Sequence, residues 1–441
     1  MVYLPHWPIP SSLGKRQIDY ETVFERMSFV LEKLNNPHQK LPPIIHVAGT
    51  NGKGSASALI AKIFSCAGKN VHLYTSPHLH DCNERIVLNG EKISDSFLFE
   101  IMEEVRIAAA ETPLTFAEAF TIGGFLAFSK VPSDLVVIEC GMGGRIDSTN
   151  IIEKKLATVI MPISFDHTEY LGNSIERIAL EKAMIIRPQT PLIVASQTSA
   201  AKNIIRILAD DQKVPTYFYD EDFEILLDEE SGEFDLKLGE KILEKLPKPA
   251  LLGSHQYINF ATAIACALVV SKNNPDLKIS YSVVQQAIST VYWPSRIEKI
   301  ENNLNKILGN TQSEIFIDGA HNEAGAFALA RWIAEKESQD QKKTFVICGF
   351  TSGKCKKEFL EKFLNIAEEI IAVRVYGEPN SEKTERIVEI GLNAGIKIFA
   401  AQDLPEALYH IKKNSEKLPC RVVICGSLHL ARDVRKLAKG F

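Results

Sequence analysis

The chain predicts an α/β protein built from two parallel-sheet units in series. Three observations carry this. Short, uninterrupted apolar runs alternate with stretches of helical spacing. Several runs end on a glycine, a carboxylate or a histidine, which is where ligands meet an open parallel sheet. The same alternation restarts after Trp293-Pro294. At 441 residues, with 45% hydrophobic and 24% charged, the chain has apolar material for two cores.

The first unit is expected to run as follows. Pro42–Ala48 is a buried strand and Ser55–Cys66 a helix. Asn70–Tyr74 is a strand and Glu118–Phe128 a largely buried helix. Asp134–Glu139, Leu156–Ile163 and Pro191–Ala195 are strands, with a helix over Ile175–Ile186. Residues 222–240 alternate apolar and polar on either side of Glu-Ser-Gly, so an antiparallel hairpin decorates this unit. In the second unit the strands are Glu314–Ile317, Thr344–Cys348, Glu369–Val375 and Arg421–Cys425. Its helices are Glu323–Lys336, Lys356–Ala367, Lys383–Asn393, Pro405–Asn414 and Leu428–Lys439. The boundary is placed near 295–300.

Composition excludes some functions. Lys+Arg is 50 against 55 Asp+Glu, a formal charge of −5, which argues against a dedicated nucleic-acid binder. Met1–Pro10 lacks a basic stretch followed by an apolar one, so no signal peptide is expected. The longest apolar helical run, Phe260–Val270, is well short of the ~20 residues of a membrane span and reads as a buried helix. The eight cysteines form no C-x-x-C and read as reduced core residues of a cytoplasmic protein. The H-x-H pair His78/His80 lacks further ligands for a zinc set.

The sharpest local signal is Gly49-Thr50-Asn51-Gly52-Lys53-Gly54-Ser55, after a strand and before a helix. Glycines let backbone N–H groups close around phosphate oxygens, and the helix N-terminus favours the negative charge. Lys53 faces the β/γ-phosphates and Ser55 a Mg²⁺ ion or a phosphate. The strict P-loop form is broken, since Val47 stands where its first glycine belongs and Gly54 separates Lys53 from Ser55. Other strand ends offer Ser76, Glu139 and Asp166-His167 as cation ligands; pairing of Glu139 with Arg145, and a capping or core role for His167, are the plainer alternatives.

The string HVAGTNGKGS (His46–Ser55), with TSPHL (Thr75–Leu79) and ERI (Glu84–Ile86), resembles the folylpolyglutamate synthase/dihydrofolate synthase branch of the ATP-dependent Mur-type amide ligases. IECGMGGRIDSTN (Ile138–Asn150), DHTEYLG (Asp166–Gly172), ALEKA (Ala179–Ala183), HQYIN (His255–Asn259), WPSRIE (Trp293–Glu298), IDGAHN (Ile317–Asn322) and CGSLHLARDVR (Cys425–Arg435) extend the resemblance over essentially the whole chain, in order. It implies a Mur-ligase-like P-loop parallel-sheet domain, residues 1–297, followed by a smaller Rossmann-like α/β domain, residues 298–441, the two closing over ATP.

The resemblance also implies the chemistry. ATP converts a substrate carboxylate to an acyl phosphate, and the amine of L-glutamate displaces phosphate. The substrates are dihydropteroate or a reduced folate with L-glutamate; separately, no obvious interface helix in the sequence argues for more than a monomer. The cofactors are ATP, two Mg²⁺ ions and a monovalent cation. Carried over by residue, Gly49, Thr50, Asn51, Gly52, Lys53, Gly54 and Ser55 form the phosphate loop. Asn259, Arg296, Asp318 and His321 also contact ATP. Ser76, Glu139, His167 and a carbamylated Lys182 hold the metal, and Lys53, His167, Lys182 and Arg296 serve catalysis. Arg85, Thr115, Asp147 and Ser148 bind the pterin-bearing substrate. Two departures stand out. Ala117 replaces an aromatic expected to stack on the pterin, with Phe116 or Phe120 as substitutes. Phe350-Thr351-Ser352-Gly353-Lys354-Cys355 keeps a lysine and loses two acids near the incoming glutamate. The alternatives are a Mur-type ligase with another carboxylate substrate and a P-loop ATPase.

Overall fold

The computed structural model describes residues 20–300, 304–310, 312–351, 353–354, 356–416 and 418–438. The reading of Met1–Pro10, together with Ser352, Cys355 and Lys439, lies outside these residues. The chain divides into two units. One runs up to Ala250 and again over Gln256–Val291; the other comprises Leu251–His255 and the chain from Tyr292.

The apolar runs of the first unit become strands because both their faces are covered. In chain order they are β1 (Ile44–Ala48), β2 (Val71–Tyr74), β3 (Ile86–Leu88), β4 (Glu91–Lys92), β5 (Leu135–Glu139), β6 (Ala157–Ile160), β7 (Leu192–Val194) and β8 (Thr216–Phe218). They form one sheet in the order β4-β3-β2-β5-β1-β6-β7-β8. The pairs from β2 to β8 are parallel, whereas β3 and β4 add an antiparallel edge. Every residue of β1, β2, β5, β6 and β7 is buried, as a parallel sheet between helical layers requires. The edge hairpin turns on Asn89-Gly90, both with positive φ, the backbone of a tight two-residue turn.

Helices Val23–Lys33, Asp95–Ala109 and Phe116–Lys130 build one core with Ile44, Val136 and Ile138. Helices Ile175–Ala183 and Ser199–Asp211 pack with Ile160, Leu192 and Val194. The apolar run 260–270 is the buried middle of the helix His255–Asn273, and among the described residues no helix is long and apolar enough to cross a membrane. The expected hairpin is present as β9 (Phe223–Leu227) and β10 (Phe234–Leu238), joined by a third strand, β11 (Lys241–Leu246).

The second unit holds β12 (Glu298–Lys299), β13 (Glu314–Ile317), β14 (Thr344–Cys348), β15 (Glu369–Ala372), β16 (Ile398–Ala400) and β17 (Arg421–Cys425). Their order is β12-β13-β17-β14-β15-β16, parallel except for β12. Two expectations shrink here. The strand Glu369–Val375 ends at Ala372, where the neighbouring β14 also ends. The helix Lys356–Ala367 is regular only over Lys357–Glu361, after which turns carry the chain to Asn365 with φ +60°. The seven described cysteines are free thiols, five of them buried.

One buried ion pair ties the N-terminal helix of the first unit to its core. Arg26 reaches Glu118 with two hydrogen bonds, of 2.7 and 3.3 Å, and Glu118 also closes the capping box of helix Phe116–Lys130 with Thr115. Glu118→Ala removes the carboxylate that takes two hydrogen bonds from Arg26 and opens the cap. It is expected to cost about 3 kcal/mol, read as a lower urea midpoint at an unchanged slope.

Candidate active site

Residues 49–55 leave β1 and enter the helix Lys53–Cys66. Two glycines make that passage sterically feasible. Gly49 has φ +145°, and a Cβ there would stand 2.6 Å from Met161 Cβ. Gly52, the N-cap, has φ +83°, and a Cβ there would stand 2.3 Å from Asn259 Oδ1. The loop is thus held between the end of β6 and the helix His255–Asn273. Thr50 N–H donates to Pro162 O, Thr50 Oγ1 to Ser164 O, and Asn51 Nδ2 to Ser164 Oγ. The side chains and the backbone N–H groups of Thr50 and Asn51 are therefore spent on fixing the loop. Lys53 Nζ donates to Gly49 O and Thr50 O, 3.1 Å each.

Lys182 enters from the helix Ile175–Ala183. It is 4% exposed, and its Nζ donates to Gly49 O at 3.0 Å. Burial, and then the like charge of Lys53, push its ammonium down to about 7. Glu139 ends β5 opposite Val47 of β1 and is itself buried. The alternative pairing with Arg145 is not the arrangement found: the Arg145 guanidinium goes to Glu21 at 2.8 Å and Glu181 at 2.9 Å. Strand β2, beside β5, delivers Ser76, whose Oγ would be 3.3 Å from a Cβ on Gly141. His167 follows β6 in a left-handed conformation, φ +49°, at the N-cap of Thr168–Leu171.

These strand ends suit a hard cation next to phosphate. Ser55 Oγ is fully buried in the first turn of the helix and has no hydrogen-bond partner, an orphan that calls for a ligand. Among the described residues no three His, Cys, Asp or Glu side chains form a metal cluster. Hydroxyls, one carboxylate and one imidazole fit Mg²⁺ that takes its remaining oxygens from phosphate and water.

A second group of side chains surrounds Arg85. Its Nε donates to His78 Nδ1 at 2.9 Å, and its guanidinium carbon lies 5.1 Å from the Phe116 ring and 5.7 Å from Phe120. Phe116 and Phe120 are 4.5 Å apart. Phe116 is half-buried and Ala117 exposed, while Phe120 belongs to the core. Of the two rings, Phe116 is the one partly open to solvent. Thr115 and Asp147 sit at this end with occupied side chains. Thr115 caps its helix. Asp147 accepts from the backbone N–H groups of Gly141, Met142 and Thr149 and from Thr149 Oγ1, shaping the turn after Glu139. Ser148 Oγ lies 2.7 Å from Thr121 Oγ1, which meets Tyr74 OH at 3.1 Å.

In the second unit, Arg296, Asp318 and His321 come together. Asp318 is buried and accepts from Ile297 N–H and Ala320 N–H; burial raises its carboxyl pKa, and Arg296 opposes the rise. A Cβ on Gly319 would stand 2.7 Å from Arg296 Nη1, and His321 Nδ1 lies 2.9 Å from Gly319 O. Near the altered loop, Gly353 N–H donates to Glu382 Oε2 at 3.1 Å.

Sequence reasoning treated His78 only as half of a rejected zinc pair. Its closeness to ERI, which supplies Arg85, was the available signal. It also missed the buried trio of His46, Cys140 and Thr149 beneath the loop, where His46 Nε2 lies 2.8 Å from Thr149 Oγ1. Burial keeps His46 well below its usual range and pushes the Cys140 thiol up to about 12.

Residues 47–267 match the Mur ligase middle domain, and residues 300–437 match the dihydrofolate synthetase C-terminal domain. The chain is 31% identical over 438 residues to the dihydrofolate synthase/folylpolyglutamate synthase of Bacillus subtilis, covering 97% of each. Folylpolyglutamate synthase of Mycobacterium tuberculosis, complexed with ADP and AMPPCP, has a TM-score of 0.83 at 25% identity, covering 94% of this chain and 95% of that one. The bifunctional folylpolyglutamate synthase/dihydrofolate synthase of Yersinia pestis, complexed with AMPPNP and a Mn ion, has a TM-score of 0.83 at 25% identity, covering 97% and 96%.

Gly52→Ala is expected to weaken binding of a fluorescent ATP analogue at least about tenfold, since left-handed backbone and the Asn259 clash both oppose the loop conformation. Lys182 gives a pH signature. Its folded value near 7 is below the ordinary 10.5, so the unfolded chain binds more protons between these values and stability rises with pH across that window. Below pH 7 the full penalty, about 5 kcal/mol, is present. Lys182→Met is expected to be more stable than the parent at pH 6 in carbonate-free buffer. Its lead should shrink toward pH 10 in urea titrations.

Proposed function

The chain belongs to the dihydrofolate synthase/folylpolyglutamate synthase family of Mur-type, ATP-dependent ligases, and from that premise we propose that it joins L-glutamate to dihydropteroate, to a reduced folate, or to both. What carries the reading is the convergence of the phosphate loop, Glu139 and Lys182 at one edge of one sheet, with Lys182 Nζ 3.0 Å from Gly49 O. A phosphate loop needs one lysine, which Lys53 supplies; Lys182 is a second, buried amine at the same carbonyl.

The substrate carboxylate attacks the γ-phosphorus of ATP, ADP leaves, and an acyl phosphate forms. The unprotonated amine of L-glutamate then adds to the acyl carbon; phosphate departs and the nitrogen loses a proton, leaving an amide. Backbone N–H groups at the start of the helix Lys53–Cys66 and the Lys53 ammonium cradle the triphosphate. Ser55, Ser76, Glu139 and His167 would hold two Mg²⁺ ions, which neutralise triphosphate charge. The Lys182 amine takes up CO₂, forming an N–C bond and releasing a proton. The resulting carbamate replaces a repelling ammonium with anionic oxygens. A monovalent cation is a further requirement. Asn259, Arg296, Asp318 and His321 contact ATP. Arg85 receives an anionic group of the pterin-bearing substrate and Ser148 lies beside it. Thr115 and Asp147 act by presenting Phe116 and by shaping the turn after Glu139. The enzyme works on small molecules as a cytoplasmic monomer, without nucleic acid or membrane.

Phosphate release from Mg-ATP with L-glutamate tests this. Release is expected with dihydropteroate, with tetrahydrofolate, or with both, and little without an acceptor. Lys182→Ala is expected to lower it at least about a hundredfold. Release indifferent to both acceptors would overturn the ligase reading in favour of a simple ATPase.

A further inference from the structure

Arg85 holds a charge that the protein leaves for something else. It is 8% exposed, and among the described residues no carboxylate forms an ion pair with it. A buried guanidinium without a counter-ion is costly, and its neighbours are two phenyl rings, a tyrosine and an imidazole. The imidazole decides how the cation is presented. Guanidinium has two faces for a bidentate carboxylate: the edge shared by Nε and one terminal nitrogen, and the end formed by the two terminal nitrogens. His78 Nδ1 takes the Nε–H at 2.9 Å. The side-on edge is thereby used up, Tyr74 OH is a further hydrogen-bonding neighbour of the guanidinium, and the terminal end is the one that a planar anion can approach. The same bond requires the His78 proton on Nε2. The ring is held against Phe116, 6.4 Å between centroids.

We infer that His78 is a positioning residue for the ligase reaction: it holds Arg85 so that its two terminal nitrogens meet a carboxylate of the pteroate or folate substrate. This rests on the reading of Arg85 as the substrate's anion partner. A carboxylate, planar and with two oxygens, is the group this end-on fork matches.

The test compares steady-state parameters of His78→Leu, His78→Asn and Arg85→Ala in the full chain, varying dihydropteroate or tetrahydrofolate and, separately, ATP. His78→Leu removes the acceptor and is expected to raise the KM of the pterin-bearing substrate at least about tenfold, with the KM of ATP unchanged and kcat within about twofold. His78→Asn places an amide oxygen near the Nδ1 position and is expected to recover to within about threefold of the parent. A purely structural His78 would lower kcat or move both KM values together, which overturns the inference. Equal impairment of the Leu and Asn variants overturns it as well. Arg85→Ala separates the two levels. If it leaves the substrate KM at the parent value, the anion-partner reading itself falls. If it raises that KM while His78→Leu does not, His78 alone is removed from the account. Should the leucine variant not fold, His78→Ser against His78→Asn makes the same comparison.

Discussion

The approach of β6 and the helix His255–Asn273 to the phosphate loop is the constraint on which the site depends. Gly49 and Gly52 are there because no side chain fits between Met161 and Asn259. Thr50 and Asn51 then lock the loop to residues 162 and 164. A loop fixed in this way meets a triphosphate with little reorganisation, and pre-organised donors are worth most where water is excluded. The strand order does the rest. With β1 at the centre, and β5 and β6 on either side of it, the residues after three strands share one edge.

The first unit buries a cation in two places, at a cost in stability. Lys182 is buried beside the phosphate loop with Lys53 near it, so its charged form is disfavoured. Arg85 is enclosed by aromatic rings, with no carboxylate paired to it among the described residues. Both are cations where an apolar side chain would pack more cheaply. The Arg26–Glu118 pair is different, because each partner answers the other and the pair serves only the scaffold.

Much of the sheet could be read directly from the chain. Runs such as Ile44–Ala48 and Leu135–Glu139 are apolar throughout, which is the signature of strands covered on both faces. Edge elements were harder. β11, β16 and the Asn89-Gly90 hairpin are short or half-exposed, so their pattern carries less apolar signal. The phosphate loop announced itself by glycine spacing. The capping by Thr115 and Asp147 was not read from the chain, because a side chain that caps a helix and one that binds a substrate are the same residue types.

By itself the sequence determined the two-unit α/β plan, the phosphate loop and the strand ends that carry Glu139 and His167. All of these follow from local periodicity, glycine freedom and the rule that parallel strands present ligands at their carboxyl ends. Tertiary structure alone decided which charges are paired. Arg145 turns to Glu21 and Glu181, Lys182 reaches Gly49 across 133 positions of chain, and His78 engages Arg85 while no carboxylate among the described residues does. Pairing depends on distance and burial, and neither is set until long-range packing has folded the chain.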